Sequence, residues 1–168
     1  MPTELYDIIV PPLLRGLNNL DAVLAKGETF AKADNIDPAP LIETRLAPDM
    51  YPLTGQIQRA SDTAKFALVR IGGVENVPFA DDETTFADLH ARIAKTADFL
   101  RAVPRSAIDG REEVEVVLKS GGTERRFRAI EYALGFVLPN FFFHATTAYA
   151  LLRHRGVPVG KMDFLGRD

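Results

Sequence analysis

Apolar residues recur at spacings of three and four in four stretches of the chain, and at a spacing of two in one. The first stretch covers about residues 3–26. There Leu5, Ile9, Leu13, Leu17 (or Gly16), Leu20 and Leu24 fall on a single helical stripe. Thr3 stands where an N-cap belongs. Lys26–Gly27 reads as a basic last turn followed by a glycine that ends the helix. Pro11 and Pro12 lie inside the pattern without amide hydrogens, so a kink or a restarted helix is expected there. The second stretch, about 50–71, carries Met50, Leu53, Ile57, Ala60, Ala64, Ala67, Leu68 and Ile71, with Asp49 as its cap and Gly72–Gly73 as its end. The third, about 86–102, buries Phe86, Leu89, Ile93, Ala97 and Leu100. It opens on Thr85 and Asp88, a capping pair, and stops at Pro104. The fourth, about 130–155, closes on Gly156 with Pro158 beyond.

Between residues 112 and 129 the period falls to two on both sides of Ser120-Gly121-Gly122, which predicts a β-hairpin. Val114, Val116 and Leu118 share one face of its first arm. A lone hairpin is marginal in water, so it must pack on the helices or on another chain. Two connections lack helical periodicity. Residues 28–48 contain three prolines and are expected to be extended, pinned by Leu41, Ile42 and Leu46. The stretch "VENVPFADDET" is acidic and turn-like. Together these elements predict an all-α fold. It is a four-helix bundle with long crossover connections and a small β-hairpin before the last helix, forming a single domain over residues 1–168.

Composition narrows the function without naming it. A chain of 168 residues, 46% hydrophobic and 26% charged, is long enough to bury a core and ordinary for a soluble protein. A net charge of −3 with dispersed Lys and Arg offers no basic face for nucleic acid or anionic membrane. The short clusters Arg125-Arg126-Phe127-Arg128 and Arg153-His154-Arg155 read as solvated edges of elements. With no cysteine, disulfides, thiolate metal sites and thiol nucleophiles are excluded. The N-terminus lacks the basic region of a signal peptide, and no apolar run nears the roughly 20 residues of a membrane span. A cytoplasmic protein is expected.

Candidate chemistry concentrates in "PNFFFHATTAYALLRHRG", which holds two of the three histidines. On a helix, Asn140 lies one turn below His144 and Ala148 one turn above. A helical metal site commonly pairs His with His at that spacing, so Asn140 and His144 make at best half of one. The residues alone favour a buried, hydrogen-bonded imidazole at 144 over a ligand or a base. Phe141, Phe142 and Phe143 point in three directions, so they cannot all enter one core. His90, flanked by Asp88 and Arg92, reads as solvated, and His154 as a cation favoured by the end of its helix. Ser61–Asp62 and Ser106–Asp109 lack a histidine in any recognisable frame. The glycine pairs lack the Gly-Lys-Ser/Thr of a phosphate loop, and Asp81-Asp82-Glu83 read as loop charges. No spacing selects a catalytic set, so the catalytic residues stay unknown.

The segments "FHATTAYALLRHRGVPVGKMDFLG", "YPLTGQIQRASDTAK" and "DDETTFADLHARI" resemble an uncharacterised domain-of-unknown-function family within the DinB/YfiT-like superfamily of four-helix bundles. The resemblance covers nearly the whole chain. It implies an up-down-down-up bundle, often a homodimer. It also implies a divalent metal, zinc or nickel, held by three histidines, which in some relatives serves thiol-dependent transferases or isomerases using bacillithiol, mycothiol or glutathione. By that resemblance His144 matches one ligand, Asn140 stands at a second and Gln56 at the third. Two of the three ligands are thus amides, which disfavours the metal and the thiol-dependent transferase or hydrolase chemistry that needs it. The expectation is a degenerate metal site forming an inter-helix pocket of Gln56, Asn140, His144 and Tyr149, with hydroxyls from Tyr51 or Tyr132, that binds a small molecule if anything. His144 is the one candidate ligand should a metal bind.

Overall fold

The computed structural model describes residues 3–33 and 35–166, the side chain of Ser120 excepted. Its main helices are α1 (Leu5–Ala33), α3 (Leu53–Gly72), α4 (Phe86–Ala102) and α6 (Leu138–His154). Shorter helices are α2 (Ala39–Ile42), α5 (Ala129–Tyr132) and α7 (Lys161–Leu165). Strands β1 (Glu115–Ser120) and β2 (Thr123–Arg128) form one antiparallel hairpin. Helix α3 packs on α4 and α6, and α1 packs on the same two, so the order around the bundle is α1–α4–α3–α6. Consecutive long helices α1 and α3 are therefore diagonal to each other, and the connection between them crosses the end of the bundle.

The apolar stripes meet in one continuous core. Leu5, Ile9, Leu13, Leu17 and Leu24 of α1 are fully buried, as are Ile57, Ala60, Ala64, Leu68 and Ile71 of α3. Each Leu or Ile taken out of water in this way stabilises the fold by about 1.5–3 kcal/mol. Helix α4 begins as its capping pair predicts. Thr85 Oγ1 accepts from the Asp88 amide at 3.1 Å, and Asp88 Oδ2 accepts from the Thr85 amide at 2.9 Å. Helix α3 ends on Gly73, left-handed at φ 63°, whose amide donates to Val69 O. The hairpin turns at Gly121-Gly122, with φ of 55° and 77°, a pair of positive values that side chains resist. Val116 and Leu118 are buried against the bundle, whereas Val114 precedes the strand and is exposed.

Several boundaries differ from those expected. Helix α1 runs through Pro11-Pro12 and past Gly27 to Ala33. Gly27 is a packing glycine and not an end, because a methyl there would stand 3.0 Å from Leu152 Cδ2. The connection after α1 thus begins later and contains α2, which buries Leu41 and Ile42 but leaves Leu46 exposed. Helix α3 begins at Leu53, after Pro52, so Met50 lies outside it and Asp49 does not cap it. The fourth helical stretch starts at Ala129 and is not uniform, because a wide π turn, Ala133–Val137, separates α5 from α6. Pro139 accounts for its position. Proline has no amide to donate, and its ring crowds the carbonyl four residues back, here Gly135 within the π turn. Beyond Gly156, Gly160 opens α7, which lies against α1. No described helix is long and apolar enough to cross a membrane.

Candidate functional site

Helix α6 brings His144 to the face that meets α3, where the side chain is buried. Gln56, in the first turns of α3, lies opposite it. His144 Nδ1 and Gln56 Oε1 are 2.7 Å apart. The other end of the same amide, Nε2, donates to Tyr51 O at 3.1 Å. A backbone carbonyl only accepts, so the amide must turn its oxygen toward the imidazole. The ring nitrogen facing that oxygen must then carry the proton, and His144 is the Nδ1–H tautomer. Its Nε2 has no partner among the described residues and is not sealed off, and His144 lines a cavity. Burial, reinforced by the nearby Arg59 charge, pushes the His144 pKa down to about 4. The imidazole is therefore neutral at pH 7.

Asn140, one turn earlier on α6, does not join this pair. Its Nδ2 donates to Thr63 Oγ1 at 2.7 Å, and that hydroxyl donates in turn to Arg59 O at 2.7 Å. Asn140 and His144 nonetheless line the same cavity, of about 260 Å³. Arg59, Asp62 and Thr63 from α3 form its opposite wall. Leu118, Lys119 and Arg125 of the hairpin close a third side, and Phe66, Arg70 and Phe136 complete the lining. The hairpin, which had to pack on something, thus covers the α3–α6 face beside His144.

The other predicted pocket residues lie elsewhere. Tyr149 faces a larger cavity of about 590 Å³ between α1, α6 and α7, where it meets Phe164 edge-on. Helical spacing explains the difference, because five residues from His144 turn a side chain well away from it. Tyr132 is fully buried, and its hydroxyl accepts from Arg70 Nη1 at 2.7 Å. Tyr51 is exposed and lies under the Arg59 guanidinium. Of the phenylalanine run, Phe141 is buried while Phe142 and Phe143 remain exposed.

A second polar centre went unread in the sequence. Arg92, which in the sequence is only a flank of His90, is 2% exposed and ties α4 to both α3 and the connection before α4. Its guanidinium donates to Ser61 Oγ, Asp62 Oδ1, Ala80 O, Asp81 Oδ1 and Glu83 Oε1, each at 2.9 Å. Lys65, equally buried, donates to Val77 O at 2.9 Å and lies over the Phe79 ring. Burial lowers its pKa. These two cations hold residues 77–83 onto the bundle. Asp81 and Glu83 are thus counter-charges to a buried arginine. The acidic run next to a stripe-breaking Arg was the available signal. His90 is half-buried, its Nδ1 2.5 Å from Asp21 Oδ1. Asp62 and Arg59 belong to both centres, since Arg59 also pairs with Asp81.

The donor set near His144 does not fit the implied metal. Gln56 Oε1 is engaged by the Nδ1–H of His144, and Asn140 turns its NH2 group to Thr63. One imidazole nitrogen remains, short of the three or four ligands that zinc takes from His, Asp, Glu or Cys. Among the described residues no three such side chains cluster as a metal would require.

Comparison with known proteins agrees with the fold. A family model described as a domain of unknown function, DUF1993, matches residues 5–165. A crystal structure of a DinB family member protein from Shewanella denitrificans superposes with a TM-score of 0.90 at 37% identity, covering 98% of this chain and 93% of that one. No curated protein matches the chain. The protein has a DinB-like helical-bundle fold, and the chain belongs to the DUF1993 family.

Proposed function

We propose that the protein binds a small organic molecule in the cavity between α3, α6 and the hairpin, with no metal. In this reading Nε2 of His144 accepts a hydrogen bond from the ligand. The observation that carries it is the Tyr51–Gln56–His144 chain, which fixes the Nδ1–H tautomer and leaves the basic Nε2, on a residue that lines the cavity, without a partner among the described residues. Asn140 and Thr63 add polar groups to an otherwise partly apolar wall, as binding cavities commonly combine. The cavity, at about 260 Å³, lies just below the usual range for drug-sized ligands, which favours a metabolite of one ring or fewer. The metal- or thiol-dependent transferase reading needs ligands that Gln56 and Asn140 do not supply, and it is not adopted.

The test is a screen of small-metabolite mixtures against protein labelled in its histidine rings. A ligand in the cavity moves the His144 resonances of the wild type and loses its effect in Asn140→Leu, which replaces a polar wall group. If every bound compound leaves His144 unmoved while shifting backbone amides near Tyr149 in a uniformly labelled sample, the functional cavity is the other one.

A further inference from the structure

Charge at the His144 cavity is unequal. Four cations line it, Arg59, Arg70, Lys119 and Arg125, against one acid, Asp62. Arg59 pairs with Asp62 and Asp81, and Lys119 lies 3.6 Å from Glu124. Arg70 and Arg125 have no carboxylate partner among the described residues. Their neighbours on the hairpin behave differently. Arg126 pairs with Glu115 and Glu124, and Arg128 pairs with Glu113 and Glu131. The hairpin therefore neutralises the arginines outside the cavity and leaves unpaired the one that lines it.

Both unpaired guanidiniums rest on aromatic rings. Arg70 Cζ stands 4.8 Å from the Phe66 centroid and 5.9 Å from that of Tyr132. Arg125 Cζ stands 5.5 Å from Phe136 and 5.7 Å from Phe127. Arg70 Nη1 also donates to the Tyr132 hydroxyl, which fixes that guanidinium and leaves its other N–H groups, like those of Arg125, without a carboxylate among the described residues. Such groups grip carboxylate and phosphate in two-point contacts. Phe66, Phe136 and Leu118 offer an apolar bed beside them.

We infer that the ligand of this cavity is a small anion, a carboxylate or phosphate on an apolar or aromatic body, held by Arg70 and Arg125 and donating a hydroxyl or amino hydrogen to His144 Nε2. The inference rests on the cavity being the binding site and adds the ligand's chemical class. The two arginines set specificity, and His144 reads the donor at the other end.

The probes are 4-hydroxybenzoate, its neutral methyl ester and phenyl phosphate, each titrated into the full chain while His144 ring resonances are followed. The expected result is that 4-hydroxybenzoate binds at least tenfold more tightly than the ester, with an affinity that falls as salt rises. Arg125→Gln, at an exposed strand position, and Arg70→Gln should each remove most of that preference of the acid over the ester. Should Arg70→Gln fail to fold, Arg125→Gln alone decides. Phenyl phosphate binding more tightly than the carboxylate would assign the anion as phosphate, and the reverse would assign it as carboxylate. Equal binding of acid and ester, or a preference that survives Arg125→Gln, overturns the anion assignment while leaving the cavity as a binding site. Failure of all three probes to move His144 overturns both.

Discussion

His144 occupies a position where two properties are set by different neighbours. Gln56 chooses its tautomer, and burial with Arg59 sets its proton affinity. Gln56→Leu would leave the Nδ1–H without an acceptor in a buried place, which costs about 1–3 kcal/mol. Chemical denaturation at pH 7 measures that loss, and a variant as stable as the wild type would refute the hydrogen bond. The lowered pKa also makes stability depend on pH. In the unfolded chain the ring takes a proton near pH 6.5, and in the fold only near 4. Between those values the unfolded state holds more protons, so stability falls as pH drops through that window and is fully present above it. The gap corresponds to about 3 kcal/mol. Carboxylates in general also titrate at the acid end of this range, so the measurement is the difference between wild type and His144→Gln. The wild type should lose more stability between pH 6.5 and 4 than the variant does. At this scale the sequence placed Asn140 and His144 one turn apart by spacing. The partner Gln56, 88 residues distant, came only through the family resemblance, and Thr63 as the partner of Asn140 came from neither. Periodicity says which face a side chain is on, but not which side chain on a facing helix meets it.

Two features shape the fourth helical stretch, its π turn and its close approach to α1. The approach depends on Gly16. A methyl group there would lie 2.4 Å from Cε1 of Phe141, a fully buried ring. Alanine gains about 1 kcal/mol over glycine in helix propensity, but overpacking a rigid ring costs about 1–3 kcal/mol. Gly16→Ala is therefore predicted to destabilise, by about 1 kcal/mol, and Phe141→Leu in the same chain should relieve most of that excess. A melting curve of the single and double variants checks it, and a more stable Gly16→Ala would show that the helices can separate freely. The sequence left Leu17 and Gly16 as alternatives on the stripe, because a glycine can serve a face only through what packs into it. The long helices, the α4 cap and the hairpin turn were legible because each is written in local residue types. The π turn was not, because its cause is a single proline within an apolar run that otherwise reads as a continuous helix.

Across the whole molecule, the connection between α3 and α4 is fastened by Arg92 and Lys65 from beneath. Its burial could not be read from periodicity, since a buried arginine breaks an apolar stripe as a solvated one does. Arg92→Met removes the cation that satisfies Asp81, Glu83 and three further acceptors, and breaking such a cluster costs about 3 kcal/mol. Protease should then cut within residues 74–85 well below the melting temperature, and resistance equal to the wild type would contradict the clamp. The homodimer that the resemblance implies stands as a separate proposal. Light scattering on the purified chain should give twice its 18.5 kDa mass, and a mass of one chain at all concentrations would reject it.

We propose that His144 serves as a neutral, metal-free acceptor at a binding cavity. The most direct test is the nitrogen NMR spectrum of its ring, titrated with acid and then with zinc. The expected spectrum shows a protonated Nδ1 and an unprotonated Nε2 at pH 7, protonation near pH 4, and no tight zinc complex. A proton on Nε2, an ordinary pKa near 6.5 or stoichiometric zinc on the ring would contradict it.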